Sequence, residues 1–168
     1  MEEDAFDDPP ERTFPNRVFV GAIEADADTG TVTVDRLSGA CCVGTLSDPL
    51  VVEGRVQGGV AQPIGQALVE WVVSDQRGQL PTGSRPDDGL QRAADLKPAG
   101  TLFDTVPGAH DPSGVKGAGR SGATGATAAP IDTLSDALGP LHAERIDVPA
   151  MPERVSRAIA TPRTAEAA

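Results

Sequence analysis

The sequence predicts an α+β fold, in which an antiparallel β-hairpin or small sheet is packed by two main helices. Two segments near the start, Val18–Ala25 and Thr31–Leu37, alternate apolar and polar residues, and the turn residues between them indicate a hairpin. Two later segments, Leu50–Val73 and Thr127–Leu138, carry apolar residues mostly at helical spacing. A chain of 168 residues with these four segments favours one domain with a modest core.

The composition excludes several classes of function. The chain has 19 glycines, 15 prolines and few aromatic residues, so its core has to be built from small aliphatic side chains. A net charge of -11 argues against non-specific nucleic-acid binding, because contacts with phosphates need clustered Lys and Arg. No apolar run approaches the length of a membrane span, and the acidic start lacks the layout of a signal peptide. The expected compartment is the cytoplasm.

Proline, glycine and helix-capping residues predict how the rest of the chain is organised. We expect an acidic, Pro-rich, disordered lead at 1–14, a folded domain at 15–160 and a loose tail at 161–168. Ser47 or Asp48 is a candidate helix cap, and Pro49 suits the first helical position. Further along, the predictions are a turn with a strand on each side, a short strand within a long loop, a last strand and a helix opened by proline: 74–78, 101–103, 145–148 and 152–159.

Cysteine and histidine usage predicts no metal site. Cys41 and Cys42 are adjacent, and no second pair is present to complete a zinc or iron–sulfur site. We interpret them as small buried residues, with a single reactive thiol as the lesser alternative. His110 and His142 are too few to assemble a metal triad.

A glycine-rich stretch, Gly114–Gly125, is the most distinctive feature of the chain. Glycine recurs there every two or three residues, which permits φ > 0 and a close approach of backbone amides to an anion. Lys116 and Arg120 add positive charge, and a helical pattern follows. The functional interpretation is a loop that holds a phosphate-bearing cofactor, and the alternative is a mobile linker. The stretch matches neither a Walker A nor a dinucleotide-binding motif.

A second unusual stretch lies inside the first predicted helix. Gly58, Gly59 and Pro63 are unfavourable in a helix interior, so such a helix is usually kinked or lets another group approach closely. Gln62 is then available to hydrogen-bond a ligand. The alternative is a close helix–helix contact with a glutamine that is satisfied locally, and the residues alone leave both interpretations open.

Several motifs, taken in order, resemble a known enzyme family. They are Pro15-Asn16, Asp28-Thr29-Gly30, Asp48–Gln62, Gly114–Gly119 and Pro152–Val155. In this order they resemble the C-terminal part of the molybdenum-binding subunit of the xanthine dehydrogenase / aldehyde oxidase family. Within the family, the motifs resemble those of the carbon monoxide dehydrogenase-like large subunits. The resemblance covers about residues 15–160 and implies one half of a molybdopterin-binding domain.

The resemblance implies a cofactor and partners. The family binds molybdenum through molybdopterin, often as its cytosine dinucleotide, and hydroxylates aldehydes or N-heterocycles with oxygen from water. Electrons leave through iron–sulfur and FAD subunits. The residues that match the cofactor-binding motifs are Gly58, Gly59, Val60, Ala61, Gln62, Lys116, Gly117, Ala118 and Gly119.

Departures from the family pattern open alternatives for activity. Arg120 stands where the family has the glutamate that acts as general base, and arginine stays protonated at any working pH. Pro63 replaces a glycine, and Cys42-Val43-Gly44 replaces Asp-Cys-Gly. The first hypothesis is a cofactor-binding segment that needs the remaining lobe of the molybdenum subunit. The second is a truncated, catalytically degenerate homologue that serves in binding or assembly, and the third is an unrelated acidic domain.

Overall fold

The computed structural model describes residues 11–84, 89–143 and 145–161, and these form an α+β fold. A three-stranded sheet has the order β1-β2-β3. Helices pack against one face of it. The elements are β1 (Arg17–Ala25), β2 (Val32–Cys42), α1 (Pro49–Leu68), β3 (Gly100–Asp104), α2 (Ser121–Ala126), α3 (Ala128–Leu138) and α4 (Pro152–Ala160).

The predicted hairpin is confirmed, and both of its strands extend beyond the predicted bounds. β1 and β2 are antiparallel, with a register irregularity between Ala22 and Ile23. At the turn, the Asp26 carboxylate accepts hydrogen bonds from the Asp28 amide at 2.9 Å and the Thr29 hydroxyl at 2.8 Å. Because these bonds favour the ionised carboxylate, with the Thr29 hydroxyl contributing most, they lower the pKa of Asp26.

The start of α1 is also confirmed. The Asp48 side chain accepts hydrogen bonds from the amides of Leu50 and Val51, and Pro49 occupies the first turn. The predicted end at Val73 is wrong, because α1 stops at Leu68. There the carbonyl of Gly65 accepts the amides of both Val69 and Glu70, which closes the last turn.

The sheet is completed by β3, which runs parallel to β2 and confirms the short strand predicted near Thr101. The predicted strand at 145–148 is wrong. Ile146 is buried in the core, but the amide of Ala150 donates to the carbonyl of Ala67 at the end of α1, so the described part of this segment is tied to the helix rather than to the sheet. The turn at 74–78 is present without flanking strands.

One hydrophobic core joins the sheet to the helices. Its buried members come from β2, from all four helices and from the segments between them, with Val34, Val56, Leu134 and Val155 among them. Both cysteines are buried and unpaired, as predicted. Of the predicted lead only 11–14 are described, and they form no helix or strand. Of the predicted tail only Thr161 is described, so the domain bounds stay a prediction. No helix in the described ranges is long and apolar enough to cross a bilayer.

Candidate functional site

The first part of the glycine segment (residues 114–125) is a loop that is tied to the end of β2. Gly44 and Val115 form an isolated antiparallel bridge. The amide of Lys116 donates to the carbonyl of Val43 at 3.0 Å, and the amide of Thr45 donates to the carbonyl of Gly114 at 2.9 Å. A segment with these backbone hydrogen bonds is a fixed part of the fold, so the mobile-linker interpretation does not describe residues 114–116.

The second part of the glycine segment is helical, which the sequence did not predict. α2 starts at Ser121, six residues before the predicted helix, in a stretch where two glycines disfavour helix. Tertiary packing explains the difference. A Cβ on Gly122 would lie 2.6 Å from the backbone of Gly59 and Val60, and a Cβ on Gly125 would lie 2.6 Å from the Phe19 ring. These glycines therefore let α2 pack directly against α1 and β1.

The two glycines before α2 have a different environment. A Cβ placed on Gly117 or Gly119 would meet no other atom within 4 Å, and both residues are exposed. Within the segment only Gly114 has a positive φ, at 71°. The alternating backbone of an anion nest is therefore absent from 117–119, and what these residues offer is open backbone without side-chain bulk.

Basic residues flank this open backbone. The Lys116 ammonium donates to the Cys42 sulfur at 3.3 Å, which holds it at the end of β2. Arg120 is exposed, and its carbonyl accepts a hydrogen bond from the Arg17 guanidinium at 3.2 Å. Two carboxylates lie close by: Asp104 pairs with Cys42 across β2 and β3, and Asp111, just before the loop, accepts the amide of Ser113 at 2.7 Å. Lys116 and Arg120 within the loop and Arg17 against it thus place three basic residues here, in a chain that is acidic overall.

The α1 residues that were predicted to bind the cofactor lie in different environments. Gly59 lies against α2, where a Cβ would be 3.3 Å from Ala123 N, so close packing is its role here. Gly58, Val60 and Ala61 line a mostly apolar groove of about 570 Å³ between α1 and the segment 93–99. Across this groove, the Gln57 amide oxygen accepts the Ala99 amide at 2.9 Å.

Gln62 is exposed and lines a separate concavity of about 430 Å³, together with Gln66, Glu70, Val72, Val148 and Pro149. No residue of the glycine segment (114–125) lines this concavity. The structure therefore brings Lys116, Gly117 and Gly119 together and places Ala118 half-buried against the core. The helix α2, which follows the loop, is joined to α1 through Gly59 rather than Gln62.

Two contacts at the loop were missed in the sequence. Arg17 reads as an ordinary strand residue, and Cys42 as a small buried one. Their contacts with Arg120 and Lys116 span 103 and 74 residues, so no local pattern indicates them. No group of three His, Cys, Asp or Glu side chains suited to a metal ion occurs among the described residues.

A model of one protein family matches residues 1–97 of the chain, and the family is described as the molybdopterin cofactor-binding domain. The chain belongs to this family. Along 145 residues it is 35% identical to the nicotine 6-hydroxylase large subunit of Paenarthrobacter nicotinovorans, a match that covers 86% of the chain and 18% of that subunit. It is 29% identical to the carbon monoxide dehydrogenase large chain of Afipia carboxidovorans, with 84% of the chain and 18% of the relative covered.

Solved structures agree with this assignment. The chain superposes on a Cu,Mo-CO dehydrogenase with a TM-score of 0.86 at 27% identity. The superposition covers 92% of this chain and 19% of that one. Quinoline 2-oxidoreductase from Pseudomonas putida 86 gives a TM-score of 0.81 at 34% identity, over 85% and 18% of the two chains. The chain thus spans about a fifth of the length of the relatives it matches, as the resemblance implied.

Proposed function

We propose that this chain supplies one part of the molybdopterin-binding surface of a molybdenum hydroxylase. The rest of the surface would come from the remaining lobe of the molybdenum subunit, and iron–sulfur and FAD subunits would accept the electrons. The supporting observation is the loop at 116–119, where two glycines leave open backbone beside a fixed ammonium group. The proposed substrates are those of the family, namely aldehydes, N-heterocycles or carbon monoxide, and the proposed compartment is the cytoplasm.

The described residues fit the anionic part of such a cofactor. A pterin phosphate, or the longer cytosine dinucleotide form, needs cations and backbone donors without bulk, and Lys116, Gly117 and Gly119 offer these. When bound, the cofactor supplies the two-electron oxidation chemistry. In this assignment Lys116 neutralises the anion, Gly117 and Gly119 admit it, and Gly59 keeps α2, which follows the loop, against α1. Gln62 stays a proposed ligand from a neighbouring surface.

The test is co-expression of the chain with a defined remaining lobe. The probe is the Afipia carboxidovorans carbon monoxide dehydrogenase large chain from which the stretch that matches this chain has been removed. We expect the complex to carry molybdenum and pterin, measured by metal analysis and by fluorescence of the oxidised pterin.

Substitution of Lys116 by Met should lower the pterin content severalfold, because the anion loses its fixed counter-charge. Arg157→Met is the control, since Arg157 pairs with Glu153 on exposed side chains of α4 and lines neither the loop nor the groove beside α1. A complex that forms but holds neither metal nor pterin would contradict the proposal, as would equal losses in the two variants.

One residue favours a second candidate function, that of a catalytically degenerate homologue. Arg120 is exposed and occupies the family position of the general base, and a guanidinium cannot accept a proton. If the chain is degenerate, Arg120→Glu should create or raise oxidation of a panel of aldehydes, N-heterocycles and carbon monoxide by about 10²–10⁴-fold in the loaded complex. Wild-type turnover equal to that of the variant would exclude the degenerate interpretation.

A further inference from the structure

The face of the sheet turned away from the helices is apolar at its centre. On β1, the alternation that sends Phe19 and Ile23 to the core leaves Val18 and Val20 exposed at 60% and 67% of their surface. On β3, Leu102 is exposed at 73%. The register aligns Val18 with Ala40 and Ala40 with Leu102, so these residues form one row across all three strands. We call Val18, Val20, Ala40 and Leu102 the outer sheet face.

This pattern is typical of strands that are covered on both sides. A sheet with one face in water usually alternates apolar and polar residues, whereas strands buried on both faces are apolar throughout. β1 carries apolar side chains on both faces over Val18–Ala22, and β3 does so at Leu102 and Phe103. A contiguous exposed apolar row of this kind marks an interaction surface, unlike a scattered single residue.

The length of the relatives indicates what covers the row. At least 84% of this chain matches each relative described above, but the match accounts for only 18–19% of the relative's length. The same fold therefore occurs inside chains about five times as long, where it must contact the other four fifths. The outer sheet face is also next to the candidate site, because Ala40 precedes by two residues the Cys42 that holds Lys116.

We propose that the outer sheet face docks the remaining lobe of the molybdenum subunit. The inference rests on the proposed function only for the identity of the occupant. Apolar contact across three strands supplies the attraction, and the charged residues at its border, Glu24, Arg36 and Asp104, form a polar rim. Docking there places the lobe against the end of β2, on which the Lys116 loop is fixed.

The test measures binding between the full chain and the same truncated Afipia carboxidovorans large chain, by affinity capture and titration. The variant is Val18→Lys with Leu102→Lys, which puts two charges on the row but leaves the core-facing side chains unchanged. Leu50→Lys is the matched control, because Leu50 is 79% exposed but belongs to α1 rather than to the sheet. We expect the double variant to bind at least about tenfold more weakly and the control to bind like the wild type.

Thermal unfolding of each variant distinguishes docking from folding, and Val18→Thr with Leu102→Thr replaces the lysine pair if that pair does not fold. Equal binding by a folded double variant and the wild type would overturn the proposal, as would no binding by the wild type. A wild-type dimer that the double variant abolishes would instead assign the face to a second copy of the chain. Docking through this face without bound pterin would support this inference and contradict the proposed function. Pterin binding in a complex that does not use this face would support the proposed function and contradict this inference.

Discussion

The two halves of the glycine segment have nearly the same share of glycine but different environments. In the loop half, 114–120, Gly117 and Gly119 have nothing within 4 Å of a Cβ position, whereas in the packed half, 121–125, Gly122 and Gly125 would each clash. Glycine content alone therefore does not identify a loop that binds a ligand. In this chain, glycine serves helix packing in one half and leaves open backbone in the other.

The largest loss of stability is expected for Gly122→Ala. The new methyl group would lie 2.6 Å from the backbone of both Gly59 and Val60, and backbone atoms inside a helix cannot move aside cheaply. We expect the free energy of unfolding to fall by about 3 kcal/mol. Urea denaturation measures the loss, and a variant as stable as the wild type would show that α2 does not pack on α1 as described.

Gly125→Ala should have a smaller effect. Its methyl group would meet the Phe19 ring at 2.6 Å, and a ring can shift where a backbone cannot. The other edge of the same ring lies directly against Gly39, where a Cβ would clash with it, so the ring has little room to move. We expect a loss of about 1–2 kcal/mol by the same measurement. A loss larger than that of Gly122→Ala would reverse the order that the contacts predict.

The smallest expected change in stability comes from the loop half. Gly117→Ala with Gly119→Ala adds two methyl groups in open space, so the free energy of unfolding should change by less than about 1 kcal/mol. Under the proposed function, the same variant should lower the pterin content of the complex, because the methyl groups occupy the space in which the cofactor approaches. Loss of stability together with unchanged pterin content would remove the distinction between the two halves.

Elements defined by local patterns could be predicted from the sequence. The hairpin follows from its alternation and from the turn at Asp26, and the start of α1 follows from Asp48 and Pro49. The helical half of the glycine segment could not be predicted, because its stability depends on Gly59, more than sixty residues earlier in the chain. The prediction of a strand at 145–148 was wrong for a similar reason, since the chain just after it hydrogen-bonds to the end of α1.

The candidate site could be predicted only in part, because some of its contacts join residues that are far apart in the sequence. The sequence indicated Lys116 and the open glycines through composition and motif order. It did not indicate that Cys42 would fix the lysine, or that Arg17 would reach the loop, because such contacts join residues far apart in the chain. Gln62 and Gly59 are three residues apart in sequence, and yet the helix turns them to different surroundings.

The Phe19 ring between Gly39 and Gly125 has a consequence for how this sequence can vary. A methyl group at position 39 or 125 would intrude on the ring from opposite sides, so the three positions are not free to change independently. Homologues with a larger residue at either glycine should carry a smaller one in place of the phenylalanine. Substitutions at these sites are then expected to arise as correlated sets, and a chimera that mixes parents within the triplet should fold less well than either parent.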